Sequence, residues 1–238
     1  AELAKLASQG RLSAPGVYEK QIARLVADPR SAALSKRFAR QWLRLGDVEG
    51  VLPDAVAYPY FDRTLGDAFV VESEMFFDSL VREDRSVTDL LTADYSFVNE
   101  RIARHYDIPG VDGVDFRKVA LKPEYQRGGL LTHASILKVS ANGNNTSPVV
   151  RGAWVLDRIL GTPPSPPPPG TPGVEPDIRG ATTLRQMLEK HRSTESCNSC
   201  HSKIDPPGFA LESFDGVGRF RERDRLAGGQ PQRRRPGH

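Results

Sequence analysis

A run of prolines around residue 167 limits what this chain can fold into more than any other feature. Residues 162–173 contain seven prolines and two glycines. Proline lacks a backbone N–H and its ring fixes φ at about −65°, so a helix cannot continue through such a run. The run is typical of an extended, semi-rigid polyproline II spacer. The sequence therefore predicts a body at residues 1–162, a linker at 163–176 and a small module at 177–225.

The body has the apolar periodicity of α-helices. Leu34, Phe38 and Trp42 recur about one helical turn apart and are continued by Leu45, which predicts a helix with this stripe against the core. Gly46 is placed to end it. Similar patterns predict helices over 62–82, 97–106 and 148–160, with a short strand at 116–121, and we expect His105 to be a partly exposed surface residue. The expected fold class is mainly α.

The only two cysteines of the chain lie three residues apart, and a histidine follows the second one directly. Cys197-Asn198-Ser199-Cys200-His201 is a C-x-x-C-H sequence, the attachment signal of c-type haem. In that chemistry two thiols add to the two vinyl groups of the haem, and the imidazole that follows binds the iron. We therefore expect Cys197 and Cys200 to tether haem c covalently and His201 to be a metal ligand.

Three other interpretations of the motif stay open. A zinc site would need four ligands, and His191, Cys197, Cys200 and His201 supply the atoms, although two adjacent residues point poorly at one tetrahedral centre. A thioredoxin-like redox pair would follow a strand inside an α/β unit, whereas here a helical pattern precedes the motif. A structural disulfide or two idle cysteines is the third interpretation. Haem attachment is favoured over all three.

The sequence leaves the second axial ligand of such a haem open. Thr183 can cap a helix that places Met187 and His191 on one apolar face. His191 is the nearest candidate ligand, and Met187 is a weaker one. A ligand from the body, such as His133, or an open coordination position are the alternatives.

The residues after the motif are predicted to enclose the haem. Pro206 and Pro207 are expected to break the helix that carries the motif. The apolar residues beyond them would form a wall against the porphyrin, namely Phe209, Leu211, Phe214, Val217 and Phe220. A module of about fifty residues buries little surface by itself, so the haem would be part of its core.

Composition and charge narrow the class of protein to which the chain can belong. With 38% hydrophobic and 26% charged residues, the chain resembles soluble globular proteins, and no apolar run approaches the ~20 residues of a membrane span. The net charge is only +3, and the basic residues 233–235 lie in a tail, 226–238, that we expect to be disordered and not to bind nucleic acid. Because the chain opens on Ala1 with no signal peptide, we expect a piece of a longer precursor.

Several short segments resemble the planctomycete cytochrome-c-like proteins, which are built from consecutive domains of unknown function. These segments are QWL at 41–43, FVN at 97–99, RGGLLT at 127–132, SPVVRG at 147–152, HR at 191–192, CNSCH at 197–201, IDP at 204–206 and GFALESFD at 208–215. The resemblance covers nearly all of residues 35–225. It implies a periplasmic or envelope-associated haem protein of aerobic electron metabolism or polymer breakdown. Members usually carry further upstream domains, and their pattern continues where this chain enters its tail, so the haem domain is expected to be truncated.

Three functions follow from these observations. The first is electron transfer by a c-type haem module, with a redox partner protein or a haem-linked enzyme as partner. The second is a haem-dependent oxidoreductase, peroxidase-like or oxidising an organic substrate. The third is a zinc-stabilised structural or interaction module. The sixth iron position separates the first two, because two protein ligands favour electron transfer and an open position favours chemistry on a bound substrate.

Overall fold

The computed structural model describes residues 2–141, 143, 146–166, 183–193, 195–221, 223–225 and 231–233. The protein is 57% helix and 6% strand, which confirms the mainly α fold class. The helices are α1 (Glu2–Ser8), α2 (Val17–Ala27), α3 (Arg40–Trp42), α4 (Arg63–Arg82), α5 (Asp89–Thr92), α6 (Glu100–His105), α7 (Ala134–Val139), α8 (Pro148–Arg158), α9 (Leu184–Arg192) and α10 (Glu195–Ala210). The strands are β1 (Tyr95–Val98), β2 (Arg117–Ala120), β3 (Arg223–Arg225) and β4 (Pro231–Arg233). Short 3₁₀ turns cover Pro29–Ser31, Leu45–Val48, Pro123–Tyr125 and Leu130–Thr132.

The central element is α4, whose 20 residues contact both hydrophobic clusters of the body. The start of α4 is determined by a local interaction, because the Asp62 side chain accepts a hydrogen bond from the Leu65 amide at 2.9 Å and caps the helix. Phe69 and Phe76 lie on its buried face and are fully inaccessible to solvent. This confirms the helix predicted at 62–82.

The helix predicted from residue 97 is wrong at its beginning. Tyr95–Val98 forms β1, which pairs antiparallel with β2 so that Tyr95 lies opposite Ala120. Aromatic and β-branched residues favour a strand when a partner is available, and the partner here is remote in sequence. The helix α6 starts only after Asn99, whose side chain caps it by accepting from the Ile102 amide. The strand predicted at 116–121 is confirmed as β2.

The stripe predicted from Leu34 to Leu45 does not pack as a unit. Leu34 and Phe38 are 45% and 53% exposed, whereas Ala39, Leu43 and Leu45 are fully buried. Residues Leu34–Ala39 form a π-helix, in which the wider turn shifts which side chains share a face. The helical path ends before Gly46, because Arg44 adopts a left-handed conformation with φ 57°.

Helices α8 and α10 approach each other through two glycines. A Cβ atom on Gly152 would lie 1.8 Å from the carbonyl oxygen of Ile204, and one on Gly208 would lie 1.8 Å from that of Pro148. Only glycine permits backbones to come this close. The two glycines therefore let the helix that carries C-x-x-C-H pack directly against the body.

The predicted helix break at Pro206 and Pro207 is also wrong, because α10 runs from Glu195 to Ala210 with both prolines inside it. The φ of proline is compatible with a helix, and what proline removes is the N–H and some space around the preceding turn. Contact with α8 on both sides of the pair, at Ile204 and Gly208, offsets that cost. Tertiary packing thus overrides local propensity.

A fully buried arginine fastens the residues after α10 to the body. Arg151, at 0% exposure on α8, donates through Nη1 to the carbonyl oxygens of Leu211 and Phe214 at 2.8 and 2.7 Å. Its Nη2 donates to those of Asp215 at 2.7 Å and Leu137 at 3.3 Å. Burial lowers the pKa of this guanidinium to about 10, so it stays charged at neutral pH. We call this set of bonds the Arg151 clamp.

Most of the apolar wall predicted after the motif packs into the body instead. Leu211 and Phe214 are buried within the same hydrophobic cluster as Phe76 on α4, and Phe220 packs against that cluster. Val217 is fully buried, and its carbonyl oxygen lies 3.0 Å from Nε2 of His105. Phe209, by contrast, contacts the segment before the motif, with the Arg185 guanidinium 4.2 Å from its ring centre.

His105 is buried, which corrects the prediction of a surface residue. It is 5% exposed, and burial lowers its pKa to about 3. His133 is 2% exposed, lies 2.9 Å through Nδ1 from the Ser73 hydroxyl, and has its pKa lowered by burial to about 3 as well. Both imidazoles are therefore neutral at physiological pH.

Burial shifts the pKa of a carboxyl group in the opposite direction, as Glu72 shows. Glu72 is fully buried and accepts hydrogen bonds from the Ser96 and Tyr106 hydroxyls, both at 2.6 Å. Burial nevertheless raises its pKa to about 7. The unfolded chain therefore loses this proton first as the pH rises, and the stability that the neutral carboxyl contributes below about pH 4.5 is lost by about pH 7.

Parts of the predicted organisation fall outside the described residues. Residues 163–166 have no regular structure and 167–182 lie outside the description, so the linker at 163–176 stays a prediction. Within the tail, Pro231–Arg233 pairs antiparallel with Arg223–Arg225. None of the described helices has the length and apolarity to cross a membrane.

We expect Gly152→Ala to destabilise the protein by roughly 1–3 kcal/mol or more, the usual cost of overpacking. Alanine has a better intrinsic helix propensity than glycine by ~1 kcal/mol, so a loss of stability would isolate the clash with Ile204. Urea denaturation measures the effect. Gly46→Ala is the matched control, because a Cβ there meets nothing within 4 Å. Equal stabilities of the two variants would contradict the close approach of α8 and α10.

We expect the free energy of unfolding to fall on acidification from about pH 6.5 to 3, and to fall less in His133→Asn. The pKa of His133 is lower in the folded chain than in the unfolded chain, so the unfolded state takes up the proton first. The stability due to the neutral ring is complete above pH 6.5 and is lost toward pH 3, on the order of a few kcal/mol. Urea titrations across this range test it, with the partly buried His191→Asn as control. An unchanged pH dependence in His133→Asn would contradict the burial.

Candidate haem-attachment site

The three residues of the motif share one region of α10. Cys197, Cys200 and His201 occupy positions i, i+3 and i+4, which lie on the same side of a helix. All three are partly exposed, and neither cysteine is in a disulfide. The helix therefore presents two thiols and an imidazole together at the protein surface.

One nitrogen of His201 is already engaged. Its Nδ1 lies 2.9 Å from Oδ1 of Asp205, one helical turn further along α10. The Asp205 side chain is 0% exposed, and Nε of Arg192 lies 3.7 Å from its Oδ2. With Nδ1 held by the carboxylate, Nε2 is the nitrogen left to bind a metal.

Helix α9 places the other predicted ligands beside the motif. Thr183 caps it through a reciprocal capping box with Gln186, which confirms the predicted helix start. The rings of His191 and His201 contact each other edge to face, with centroids 4.5 Å apart. Burial, and then the neighbouring His201, lower the pKa of His191, so its ring favours the neutral form. Met187 is partly buried one turn earlier on α9.

The contact between the two rings bears on the sixth ligand. The two rings contact each other directly, so an iron ion could not be held between them in this conformation. For His191 to bind opposite His201, α9 would have to move relative to α10. His133 cannot serve as the second ligand in this conformation either, because it is buried among Phe76, Ser73 and the body core.

The donor set suits a c-type haem better than a zinc ion. Two partly exposed thiols on the same helix as an imidazole whose Nδ1 is held by Asp205 are the groups that covalent attachment requires. Within the described part of the chain, no group of three or more His, Cys, Asp or Glu residues is assembled to hold a metal ion. The four candidate zinc ligands are thus not gathered around a common centre.

Asp205 is the residue that sequence reasoning missed. A signal was available, since an acidic residue four positions after a helical histidine faces it. The predicted helix break at Pro206 left Asp205 as the last residue before it, a position at which proline disfavours helical dihedral angles. The Arg151 clamp was missed for a different reason, because all its acceptors are backbone carbonyls and three of the four lie 60 or more residues away, which no side-chain pattern reveals.

Comparison with protein families finds two consecutive matches. Residues 1–108 match PSD4, a protein of unknown function (DUF1592), and residues 127–224 match PSCyt3, a protein of unknown function (DUF1588). The second match includes Arg127, the Arg151 clamp and the whole of α10. Comparison with curated proteins and with solved structures finds no match. Most of the chain is thus similar to PSD4 followed by PSCyt3, the consecutive pair associated with planctomycete-type cytochrome-c-like proteins.

Proposed function

We propose that the protein binds haem c covalently through Cys197 and Cys200, with His201 as an axial ligand, and that it transfers electrons in the periplasm or cell envelope. The observation that carries the proposal is the hydrogen bond between His201 Nδ1 and Asp205, which leaves Nε2 for the iron beside two thiols that form no disulfide. The family pair supports the same assignment, because its domains accompany cytochrome-c-like proteins.

The residues of the chain have separate tasks in this proposal. Cys197 and Cys200 would form the thioether bonds to a bound haem, and His201 would ligate its iron. A bound haem supplies one-electron chemistry, and the protein sets its reduction potential through ligands, hydrogen bonds and burial. The partly exposed position of the motif on α10 lets a redox partner protein approach the haem edge. Periplasmic location follows from the chemistry, since haem is attached to such thiols outside the cytoplasm.

A haem enzyme is the second candidate function. It is favoured by the ring contact between His191 and His201, which leaves His191 without a path to the opposite face of the iron unless α9 moves. An open sixth position would admit a small molecule such as a peroxide. The substrate would then bind at the surface of α10.

The first expected outcome is covalent haem. Expressed in a host with periplasmic cytochrome maturation, the protein should keep its haem through denaturing electrophoresis and show the absorption bands of thioether-linked haem. Cys197→Ala combined with Cys200→Ala should abolish this, because no thiol remains to form the bonds. Ser199→Ala is the matched control, since it lies between the cysteines and should retain the haem. A colourless wild-type protein with stoichiometric zinc would reject the proposal.

The second outcome concerns the sixth position. Rapid, tight binding of carbon monoxide by the ferrous protein would favour the enzyme, and a low-spin, unreactive protein would favour electron transfer. In the latter case, His191→Ala and Met187→Ala should be compared. Loss of the low-spin spectrum in one variant identifies the ligand, and no change in either directs the search to His133.

A further inference from the structure

The side chain of Asp205 is the most enclosed acidic group near the motif. It is 0% exposed, although the imidazole that it contacts is 18% exposed. A buried carboxylate is costly unless it is paired or hydrogen-bonded. Its Oδ1 meets His201 at 2.9 Å, while Oδ2 has no hydrogen bond among the described residues and only Arg192 at 3.7 Å as an ion-pair partner.

The pairing has a definite direction. A carboxylate accepts hydrogen bonds, so the shared proton belongs to Nδ1 of His201 and the ring is the Nδ1–H tautomer. The same bond restrains rotation of the ring about its bond to Cβ. Arg192 lies on α9, so the interaction also joins α9 to α10, the helix that carries the motif.

We propose that Asp205 is a positioning residue that orients His201 and lowers the reduction potential of the haem. This inference rests on the proposed function. A carboxylate that accepts a hydrogen bond from the nitrogen of a ligating imidazole that does not bind the metal raises the basicity of the nitrogen that does. A more basic ligand stabilises the ferric state more than the ferrous state, because the ferric iron carries the larger positive charge.

The consequence concerns the partner. A haem with a lowered potential gives up its electron readily, so the protein acts as a donor to acceptors of more positive potential. Arg192 moderates this effect, because its positive charge draws on the Oδ2 side of the same carboxylate. The pair Asp205 and Arg192 therefore adjusts the haem in opposite directions.

The test is potentiometric titration of the haem protein and its variants. Asp205→Asn keeps an acceptor of the same shape but removes the charge. It should shift the ferrous-to-ferric ratio at a fixed potential at least tenfold toward ferrous, which is 59 mV for a one-electron couple. The iron–histidine stretching frequency in resonance Raman spectra should fall, which a purely structural role would not produce. Asp205→Glu should recover part of both.

Matched controls separate the hydrogen bond from net charge. Glu195→Gln removes one negative charge from the exposed start of the same helix, and its shift should be smaller. Arg192→Gln should shift the potential in the negative direction by more than Lys190→Gln on the same helix. The comparison of Arg192→Gln with Lys190→Gln thus tests the inference even if Asp205→Asn fails to fold.

Two results would overturn the inference. One is an Asp205→Asn protein with covalent haem whose potential shifts no further than that of Glu195→Gln. The other, where Asp205→Asn fails to fold, is Arg192→Gln shifting no further than Lys190→Gln. A wild-type protein without covalent haem would instead overturn the proposed function and the inference with it, and it is recognised before any variant is made.

Discussion

The Arg151 clamp is the interaction on which the rest of the structure depends. One buried guanidinium satisfies four backbone carbonyls, three of which lie in residues 211–215 just after α10. Hydrogen bonds to charged groups contribute roughly 1.5–3 kcal/mol each, and removal of the donor would leave buried acceptors unpaired. The clamp thereby fixes the end of α10, while Gly152 one residue later permits the close approach that fixes its middle.

The position of the candidate site follows from this arrangement. The first half of α10 carries Cys197, Cys200 and His201 at the surface, while Ile204, Asp205 and Gly208 in its second half are buried. Rigidity thus comes from the buried half, and reactivity is confined to the exposed half. Asp205 lies at the boundary, where it is fully buried yet still reaches His201.

Sequence patterns predicted the elements whose signals are local. Asp62, Ser147 and Thr183 each cap the helix that they were expected to begin, and C-x-x-C-H is complete within five residues. The failures share a remote cause. Strand β1 needs β2 about 20 residues away, the π-helix at Leu34–Ala39 changes which residues share a face, and α10 passes Pro206 because α8 supports it. The contact of His191 with His201 is likewise set by how α9 packs, not by its spacing.

The clamp also has a kinetic consequence. Its acceptors in residues 211–215 follow Arg151 by 60 or more positions, so the charged guanidinium can be buried with its partners only after the chain beyond α10 has been made. Contacts of such sequence separation form late, because loop-closure entropy must be overcome before they are gained. During synthesis from the N-terminus, the body has to wait in an incomplete state for its last segment.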